Sequence, residues 1–379
     1  MITCKLEDFL KDLEELVNIE SFSRDPEGTA QVAVVLRSKF EALGWHVTQH
    51  HISDEVGPML VITNKPNPER YDVLMLGHMD TVFPRGTVAE RPFTKDAEAC
   101  YGPGVADMKD GDLAGYYVCK SLQDNGELDD MSICIAFNPD EEISSRFSRP
   151  YIEAEAKKAD YCIILESARL NGNFVNERKG VAKYVIEFFG KSAHAAVAPE
   201  KGANALEQFI ITAQEIMTWA NPEVGSSVNI GTIKGGTTPN SIPDYVRIEV
   251  DVRLKTMADG ERIDALMHDI PNHMTVKGVT AKVDGKIFRP PMNPSAKTLE
   301  WCKAIDEMCK EVGLENLEWE ASAGGSDGNF TANLGVPTID GLGPAGGNGH
   351  SVDEKLWIEP IMKYLEVLYK AVRYCKEHK

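Results

Sequence analysis

Five short segments of the chain each place a potential metal-ligating side chain where a strand is predicted to end. They are 77–80, 105–107, 138–142, 165–167 and 349–351, and they carry His78, Asp107, the acids at 140–142, Glu166 and His350. Apolar runs precede the first, third and fourth segments, as is typical of buried strands in a parallel sheet. In open α/β sheets, ligands bind outside the carboxyl ends of the strands. Histidines and carboxylates at that edge indicate a site for a hard-to-borderline divalent metal. Because carboxylates outnumber imidazoles and an Asp can bridge two ions, we expect a pair of metals.

Taken singly, several of these residues have a simpler interpretation. His78 belongs to a common H-x-D pattern, although Asp80 could supply the partner that orients a metal-ligating histidine. Asp107 also suits the N-cap of the helix that follows, and capping is the favoured interpretation of that residue alone. Glu166, at the end of a buried strand, requires a partner there. The metal site is therefore predicted from the set and not from any one member.

The acidic triplet Asp140-Glu141-Glu142 follows directly on an apolar run. Three acids at a strand end are costly unless a cation lies beside them. One carboxylate could bind a metal while a neighbour acts as general base toward a water molecule. Sequence spacing leaves open which acid does which. His350 follows a glycine-rich segment, 343–349, for which no helix or strand is predicted.

Composition and charge exclude several classes of function. The chain has 379 residues, a hydrophobic content of 42% and a formal net charge of −19. Such a charge opposes binding to nucleic acid or to an anionic membrane, and no basic run offsets it. No signal peptide and no apolar run long enough for a membrane span is predicted. The eight cysteines are scattered, which indicates free thiols in a reducing compartment, and we expect a cytoplasmic protein.

The length favours two domains, and the predicted elements divide the chain in the same way. Helices over about 6–17, 29–43 and 110–122 alternate with apolar strands at 72–77, 132–137 and 160–165, which predicts a mostly parallel central sheet flanked by helices. A β-α-β-β-α-β order then runs from 181–189 to a last strand at 275–283, the order of a ferredoxin-like α+β domain. We therefore predict a catalytic domain, 1–178 and 290–379, with an inserted lid domain, 179–289.

Together these segments resemble the M20 family of co-catalytic zinc metallopeptidases, most of all its glutamate carboxypeptidase (carboxypeptidase G2-like) branch. The resemblance spans most of the chain and is carried by GHMDTVFP at 77–84, YGPGVADMK at 101–109 and NPDEE at 138–142. GGT at 235–237 with Asn240, and GGSDGN at 324–329, add to it. Jointly these strings are far more specific than any single motif.

The resemblance implies a role for each residue of the predicted site. By it, His78 and Glu166 hold one zinc, Glu142 and His350 hold the other, and Asp107 bridges the two. It also implies that Asp80 orients His78, that Glu141 is the general base, and that the Asp107–Met108 peptide is cis. Two Zn²⁺ ions are the implied cofactors, with Co²⁺ or Mn²⁺ as possible substitutes. The family often has Lys-Gly-Gly after the bridging Asp; here Asp110 follows Lys109, and we expect it to add negative charge near the metals.

The inserted domain contributes further residues by the same resemblance. His194 matches a histidine that reaches the scissile carbonyl in the partner subunit, so a homodimer through the lid is implied. By composition alone His194 reads as structural. Asn240 and Arg253 match residues that bind the terminal carboxylate of the substrate, although Arg253 would also suit a surface salt bridge to Asp251 or Glu249.

The implied activity is release of a C-terminal amino acid, such as glutamate, from a small peptide or N-acyl amino acid. The alternatives are another M20 activity (aminoacylase, deacylase or dipeptidase) and a non-catalytic binding protein. No clear counterpart of the lysine that some carboxypeptidases use near the Glu166 position is present, and Arg178 or Lys179 is the candidate substitute. The acyl group and the physiological metal stay open.

Overall fold

The structure, a computed structural model, describes residues 1–379 and divides into two compact units. The large unit contains Met1–Glu177, Met292–Ser322 and Ser326–Lys379. The small unit contains Arg178–Pro291 and Ala323–Gly325. Most of the small unit is thus one insertion in the sequence of the large unit, and Ala323–Gly325 adds a short second piece.

The secondary structure consists of helices and short strands that follow one another along the whole chain. The helices are α1 Leu6–Val17, α2 Pro26–Ala42, α3 Thr87–Glu90, α4 Lys109–Asp124, α5 Arg149–Ala156, α6 Ala205–Ile216, α7 Met257–Asp269, α8 Ala296–Glu311, α9 Gly328–Asn333 and α10 Ile361–Glu377, with 3₁₀ turns at Glu141–Ile143, Pro199–Lys201 and Ile270–Asn272. The strands are β1 His46–His50, β2 Met59–Thr63, β3 Val73–His78, β4 Thr94–Lys95, β5 Ala99–Tyr101, β6 Ile133–Asn138, β7 Cys162–Ile164, β8 Ser167–Ala168, β9 Phe174–Arg178, β10 Gly180–Phe189, β11 Ser227–Gly235, β12 Tyr245–Leu254, β13 Thr280–Arg289, β14 Trp319–Ser322, β15 Thr338–Asp340, β16 Gly343–Gly347 and β17 Lys355–Trp357. None of these helices is both long and apolar enough to cross a membrane.

An eight-stranded sheet forms the centre of the large unit, in the order β1-β2-β6-β3-β7-β15-β9-β14. Its four central strands, β6, β3, β7 and β15, run parallel, whereas the pairs β1–β2 and β2–β6 are antiparallel. The side chains of β3 and β6 are buried along their whole length, because helices cover both faces of such a sheet. This arrangement confirms the predicted α/β class. It also brings the carboxyl ends of β3, β6 and β7 to one edge.

A second sheet of the large unit, in the order β4-β5-β17-β16-β8, holds the glycine-rich segment. No strand was predicted at 343–349, yet Gly343–Gly347 forms β16 and pairs in parallel with β8. Glycines have low strand propensity, so this strand depends on tertiary context. The pairing brings this glycine-rich strand beside the residues that follow Glu166.

The small unit is a four-stranded antiparallel sheet in the order β11-β12-β10-β13. Alternate residues of β10 and β12 are buried, among them Tyr184, Ile186 and Val250, and they form a core of their own with residues of α6 and α7. The strand order is that of a ferredoxin-like fold. The last strand begins later than predicted, at Thr280, because Gly278 takes a positive φ of 83° and turns the chain just before it.

Candidate metal centre

His78 ends β3, and its buried ring is held in one tautomer. Its Nδ1 atom lies 3.0 Å from the backbone carbonyl oxygen of Asp80. Since a carbonyl only accepts, Nδ1 carries the proton, and the neutral ring presents a lone pair at Nε2. Nε2 is buried without a hydrogen bond, although Asp107 Oδ1 is 3.2 Å away and Glu166 Oε1 is 3.7 Å away. An orphaned ring nitrogen facing two carboxylates fits a divalent metal.

A second group of ligands shares Asp107 with the first. Asp107 Oδ2 lies 3.3 Å from Nε2 of His350, which in turn lies 2.9 Å from Oε2 of Glu142. The two oxygens of Asp107 therefore face different histidines. Ligand atoms within 4.8 Å of one another form two sets, His78 with Asp107 and Glu166, and Asp107 with Glu142 and His350. The five residues predicted as ligands are thus brought together, and Asp107 is common to both sets.

The pKa values of the ligand side chains are shifted by burial and by the contacts between the histidines and the carboxylates. Burial raises the pKa of Glu142 to about 7, against the opposing effect of its contact with His350. Burial acts in the same direction on Asp107, but the close contacts with the His350 and His78 rings outweigh it and hold its pKa below the usual value. The pKa of His350 rises to about 11 because Asp107 and Glu142 both accept from it. A bound cation must displace such protons from the imidazoles.

Asp80 organises the turn that carries the acidic triplet. Its fully buried carboxylate accepts from Ser23 Oγ at 2.6 Å and from the backbone N–H groups of Glu141 at 3.1 Å and Glu142 at 3.2 Å. His78 Nδ1 donates to the backbone carbonyl of Asp80, while the Asp80 carboxylate lies 3.4 Å from the same nitrogen. Asp80 thus holds the His78 ring through its backbone carbonyl and the 3₁₀ turn Glu141–Ile143 through its carboxylate.

Asp140 binds the backbone that follows the acidic triplet. Its Oδ2 accepts from the backbone N–H groups of Phe147 at 2.7 Å and Ser148 at 3.3 Å. The side chain is buried, and burial raises its pKa to about 6. Asp140 therefore stabilises the start of α5, which leaves Glu141 and Glu142 as the acids of the triplet available to the site.

Glu354 is part of the site and was missed in the sequence. Its buried carboxylate accepts from three backbone N–H groups, those of Gly104 at 3.1 Å, Ala106 at 2.9 Å and Asp107 at 3.0 Å. The pairing of β17 with β5, in which Lys355 lies opposite Tyr101, brings Glu354 to this loop. The only local signal is an acid directly before the apolar strand β17. Glu354 therefore holds the backbone of the shared ligand Asp107.

The segment after Asp107 matches the family pattern at one point and departs from it at another. The Asp107–Met108 peptide is cis. Asp110, which replaces a glycine of the family pattern, is fully buried and accepts from Ser167 Oγ at 2.9 Å. Burial raises its pKa well above the usual 3.8, so its neutral form is favoured.

In the small unit, His194 is exposed and also held in one tautomer. Its Nδ1 accepts from the backbone N–H groups of Ala196 at 3.2 Å and Val197 at 3.3 Å, so the ring proton is on Nε2. The N–H of Ala195 donates to the backbone carbonyl of Asn240 at 3.0 Å, which joins the two loops. His194 thus presents an N–H donor to solvent.

The cationic residues considered for substrate binding already have partners within the small unit. Arg253 pairs with Asp251 through Nε at 2.8 Å and Nη2 at 3.3 Å, and its Nη1 lies 3.4 Å from the carbonyl oxygen of Ala323. The Lys179 ammonium donates to the carbonyl of Gly225 at 2.7 Å. Arg178 is buried and donates to a backbone carbonyl, that of Gly324. The salt bridge foreseen for Arg253 is therefore formed.

Two groups of His and carboxylate ligands at the carboxyl edge of a parallel sheet, beside a turn with a further glutamate, define a metal-dependent hydrolase. A sequence model of peptidase family M20/M25/M40 matches residues 74–374, and the chain belongs to that family. The predicted family and enzyme class are confirmed.

Relatives of known name support the same class. Carboxypeptidase G2 of Pseudomonas sp. (strain RS-16) is 31% identical over 96% of this chain and 88% of its own length. Acetylornithine deacetylase of Vibrio cholerae is 28% identical over 98% of this chain and 99% of its own. Among solved structures, aminopeptidase PepT of Bacillus cereus superposes with a TM-score of 0.80 at 24% identity, over 98% of this chain and 99% of that one. The M20 metallo-carboxypeptidase Sso-CP2 of Sulfolobus solfataricus gives 0.74 at 19% identity, over 98% and 99%. These superpositions show the fold.

Proposed function

We propose that the chain is an amidohydrolase with two divalent cations, zinc by preference, that releases a C-terminal amino acid from an N-acyl or peptidyl substrate. The observation that carries this proposal is the pair of ligand sets that share Asp107, with Glu141 on the adjoining turn. His78 and Glu166 would hold one cation with Asp107, and Glu142 and His350 the other. Cobalt or manganese would serve the same mixed nitrogen and oxygen ligands.

Bound at these ligands, the cations would polarise the scissile carbonyl and make water more acidic. Glu141 takes the proton of the attacking water and passes it to the leaving amine, as a general base and then acid. Asp80 supports this role because it fixes the backbone of Glu141. His194 donates from Nε2–H to the oxygen that becomes negative, a role for which its tautomer is suited.

Recognition of a free carboxylate on the leaving amino acid is assigned to Arg253 and Asn240. The 31% identity to carboxypeptidase G2 supports the assignment of a carboxypeptidase activity. For Arg253 to act, the substrate carboxylate must share or replace the contacts that the guanidinium makes with Asp251. Both side chains are about one-third exposed, 34% and 35%, so such an exchange costs little.

A homodimer through the small unit, with His194 acting on the site of the partner subunit, completes the proposal. The small unit is a single ferredoxin-like domain, which is too short for a doubled lid that would supply the histidine within one chain. His194 is exposed, as a residue that acts on another subunit must be.

The test is hydrolysis of N-acyl amino acids and dipeptides by the zinc-, cobalt- and manganese-loaded protein. An acyl-glutamate should be cleaved much faster than its α-amide, and Arg253→Ala should remove most of that preference. Equal rates on acid and amide would contradict the carboxypeptidase assignment. A preference set by the acyl group alone would favour a deacylase, which the acetylornithine deacetylase relatives make the second candidate.

A further inference from the structure

A cavity of about 220 Å³ opens beside the metal ligands within the large unit. Asp107 and Glu166 line it from one side. The rest of its wall comes from the turn after β8 and from the segment after β16, namely Ala106, Ser167, Arg169, Leu170, Gly346, Gly347, Asn348 and Gly349. A cavity of about 150 Å³ can hold a benzene ring, so this space is large enough for a short acidic chain.

The glycines at 346, 347 and 349 leave part of this wall free of side chains, and two of them have no room for one. A Cβ at Gly349 would lie 2.6 Å from Asp107 Oδ2, and a Cβ at Gly347 would lie 2.8 Å from the side chain of Leu170. Both distances are shorter than real Cβ contacts, so a larger residue at 349 would displace the carboxylate of Asp107 and a larger residue at 347 would displace the side chain of Leu170. The cavity therefore depends on glycine at these positions.

Arg169 is the one basic residue that lines the cavity. Its backbone is fixed, because its N–H donates to the carbonyl of Asn173 at 2.9 Å and its carbonyl accepts from Gly172 at 2.7 Å. The guanidinium itself is in no hydrogen bond and no salt bridge, although the residue is half-buried. Half-buried arginines usually have a partner, so this one has donors to offer a ligand.

Two purely structural roles for Arg169 explain its position less well than ligand binding does. It acts electrostatically on Glu320, but no hydrogen bond or salt bridge joins the two, and Glu320 Oε1 already accepts from Asn171 at 2.9 Å and Asn173 at 2.6 Å. It could also offset the charge of Asp107 and Glu166, but the histidines and any bound cations do so at closer range. Neither explanation gives the guanidinium a hydrogen-bond partner.

We propose that Arg169 binds a second carboxylate of the substrate, separate from the α-carboxylate assigned to Arg253, and so makes the enzyme selective for dianionic substrates. This inference rests on the proposed function. A planar guanidinium with paired N–H donors is suited to a carboxylate, and the cavity offers no other cation from the protein for that purpose. The second carboxylate belongs either to the acyl group or to the side chain of the leaving amino acid.

Two matched substrate pairs distinguish these sources. N-succinyl-leucine against N-succinamyl-leucine places the acid on the acyl side, and N-acetyl-glutamate against N-acetyl-glutamine places it on the leaving side. In the zinc-loaded wild type, one pair should show a preference for the acid. Arg169→Gln should lower kcat/KM for that acid by about 10- to 100-fold, mostly through KM, and leave its neutral partner within about threefold. Arg169→Lys should recover part of the loss.

Arg37→Gln, on the exposed side of α2, controls for the change in net charge. The proposal would be overturned if Arg169→Gln kept the wild-type preference for the acid, or if it lowered kcat/KM equally for the acid and the amide. If wild type cleaves none of the four compounds, the proposed function fails by itself. Calorimetry with succinate and glutarate then tests Arg169 separately. If wild type binds either diacid and Arg169→Gln abolishes that binding, the inference is supported. If the substitution leaves the binding unchanged, or if wild type binds neither diacid, the inference is contradicted.

Discussion

Glu354 offers the sharpest test of how the protein positions its shared metal ligand. Replacing it with Ala removes the acceptor of three backbone N–H groups in a place with no access to water. A hydrogen bond to a charged group contributes about 1.5–3 kcal/mol, but neighbouring bonds are not additive and the burial of a carboxylate costs several kcal/mol. We therefore expect Glu354→Ala to lower the free energy of unfolding by about 2–4 kcal/mol.

Glu354→Gln is the more informative variant because it keeps the shape and one acceptor oxygen. Ala106 and Asp107 both donate to Oε1, whereas Gly104 donates to Oε2, so an amide can retain the first two bonds and lose the third. Loss of a group that orients a metal ligand typically lowers metal affinity about 10- to 100-fold. We expect that loss in zinc affinity, measured by competition with a chromophoric chelator at fixed pH.

Asp353→Asn is the matched control, since Asp353 is the exposed neighbour and the change in charge is the same. It should leave zinc affinity within about twofold of wild type. Circular dichroism at the assay temperature shows whether each variant is folded. A folded Glu354→Gln protein that binds zinc as tightly as wild type would refute the positioning role, whatever its catalytic rate.

Three further predictions concern the base, the lid and a buried acid. Glu141→Ala should retain full metal content, measured by elemental analysis, and lose a factor of about 10² or more in kcat; substantial residual activity would show that the base is misassigned. Mixing inactive His194→Ala with inactive Glu141→Ala subunits should restore activity in hybrid dimers, and no recovery after verified subunit exchange would count against action between subunits. Asp112 is fully buried in α4 with neither oxygen hydrogen-bonded, and burial raises its pKa well above 3.8. A raised folded-state pKa means stability lost as pH rises above the unfolded value, so Asp112→Asn should raise the Tm of the metal-free protein near pH 8, an advantage that should disappear below about pH 3.8.

The parts of the fold that depend on local pattern could be predicted from the sequence. Strands β3 and β6 are mostly apolar, and their parallel pairing brings His78, at the end of β3, beside the segment that carries the acidic triplet. Helix α2 shows where such prediction stops short. It begins at Pro26 and not near residue 29, because Asp25 caps it by accepting from the N–H of Gly28. That signal was visible in the sequence but lies outside the apolar repeat that defined the helix.

Contacts between distant segments could not be read in the same way. Glu354 reaches Gly104 across 250 positions, and only the β17–β5 pairing brings them together. Arg169 lies three residues after Glu166 in a turn, where a charged residue is unremarkable until the glycine strand β16 is found beside it. Asp140 could not be separated from its two neighbours by spacing, because its role depends on the backbone direction of Phe147.

The account depends on two cations sharing Asp107, and anomalous diffraction from crystals grown with zinc measures this most directly. We expect two peaks per chain about 3.5–4 Å apart, as in other two-metal sites. One should lie among His78, Asp107 and Glu166, and the other among Asp107, Glu142 and His350. A single peak at saturating zinc, or two peaks of which only one contacts Asp107, would contradict the account.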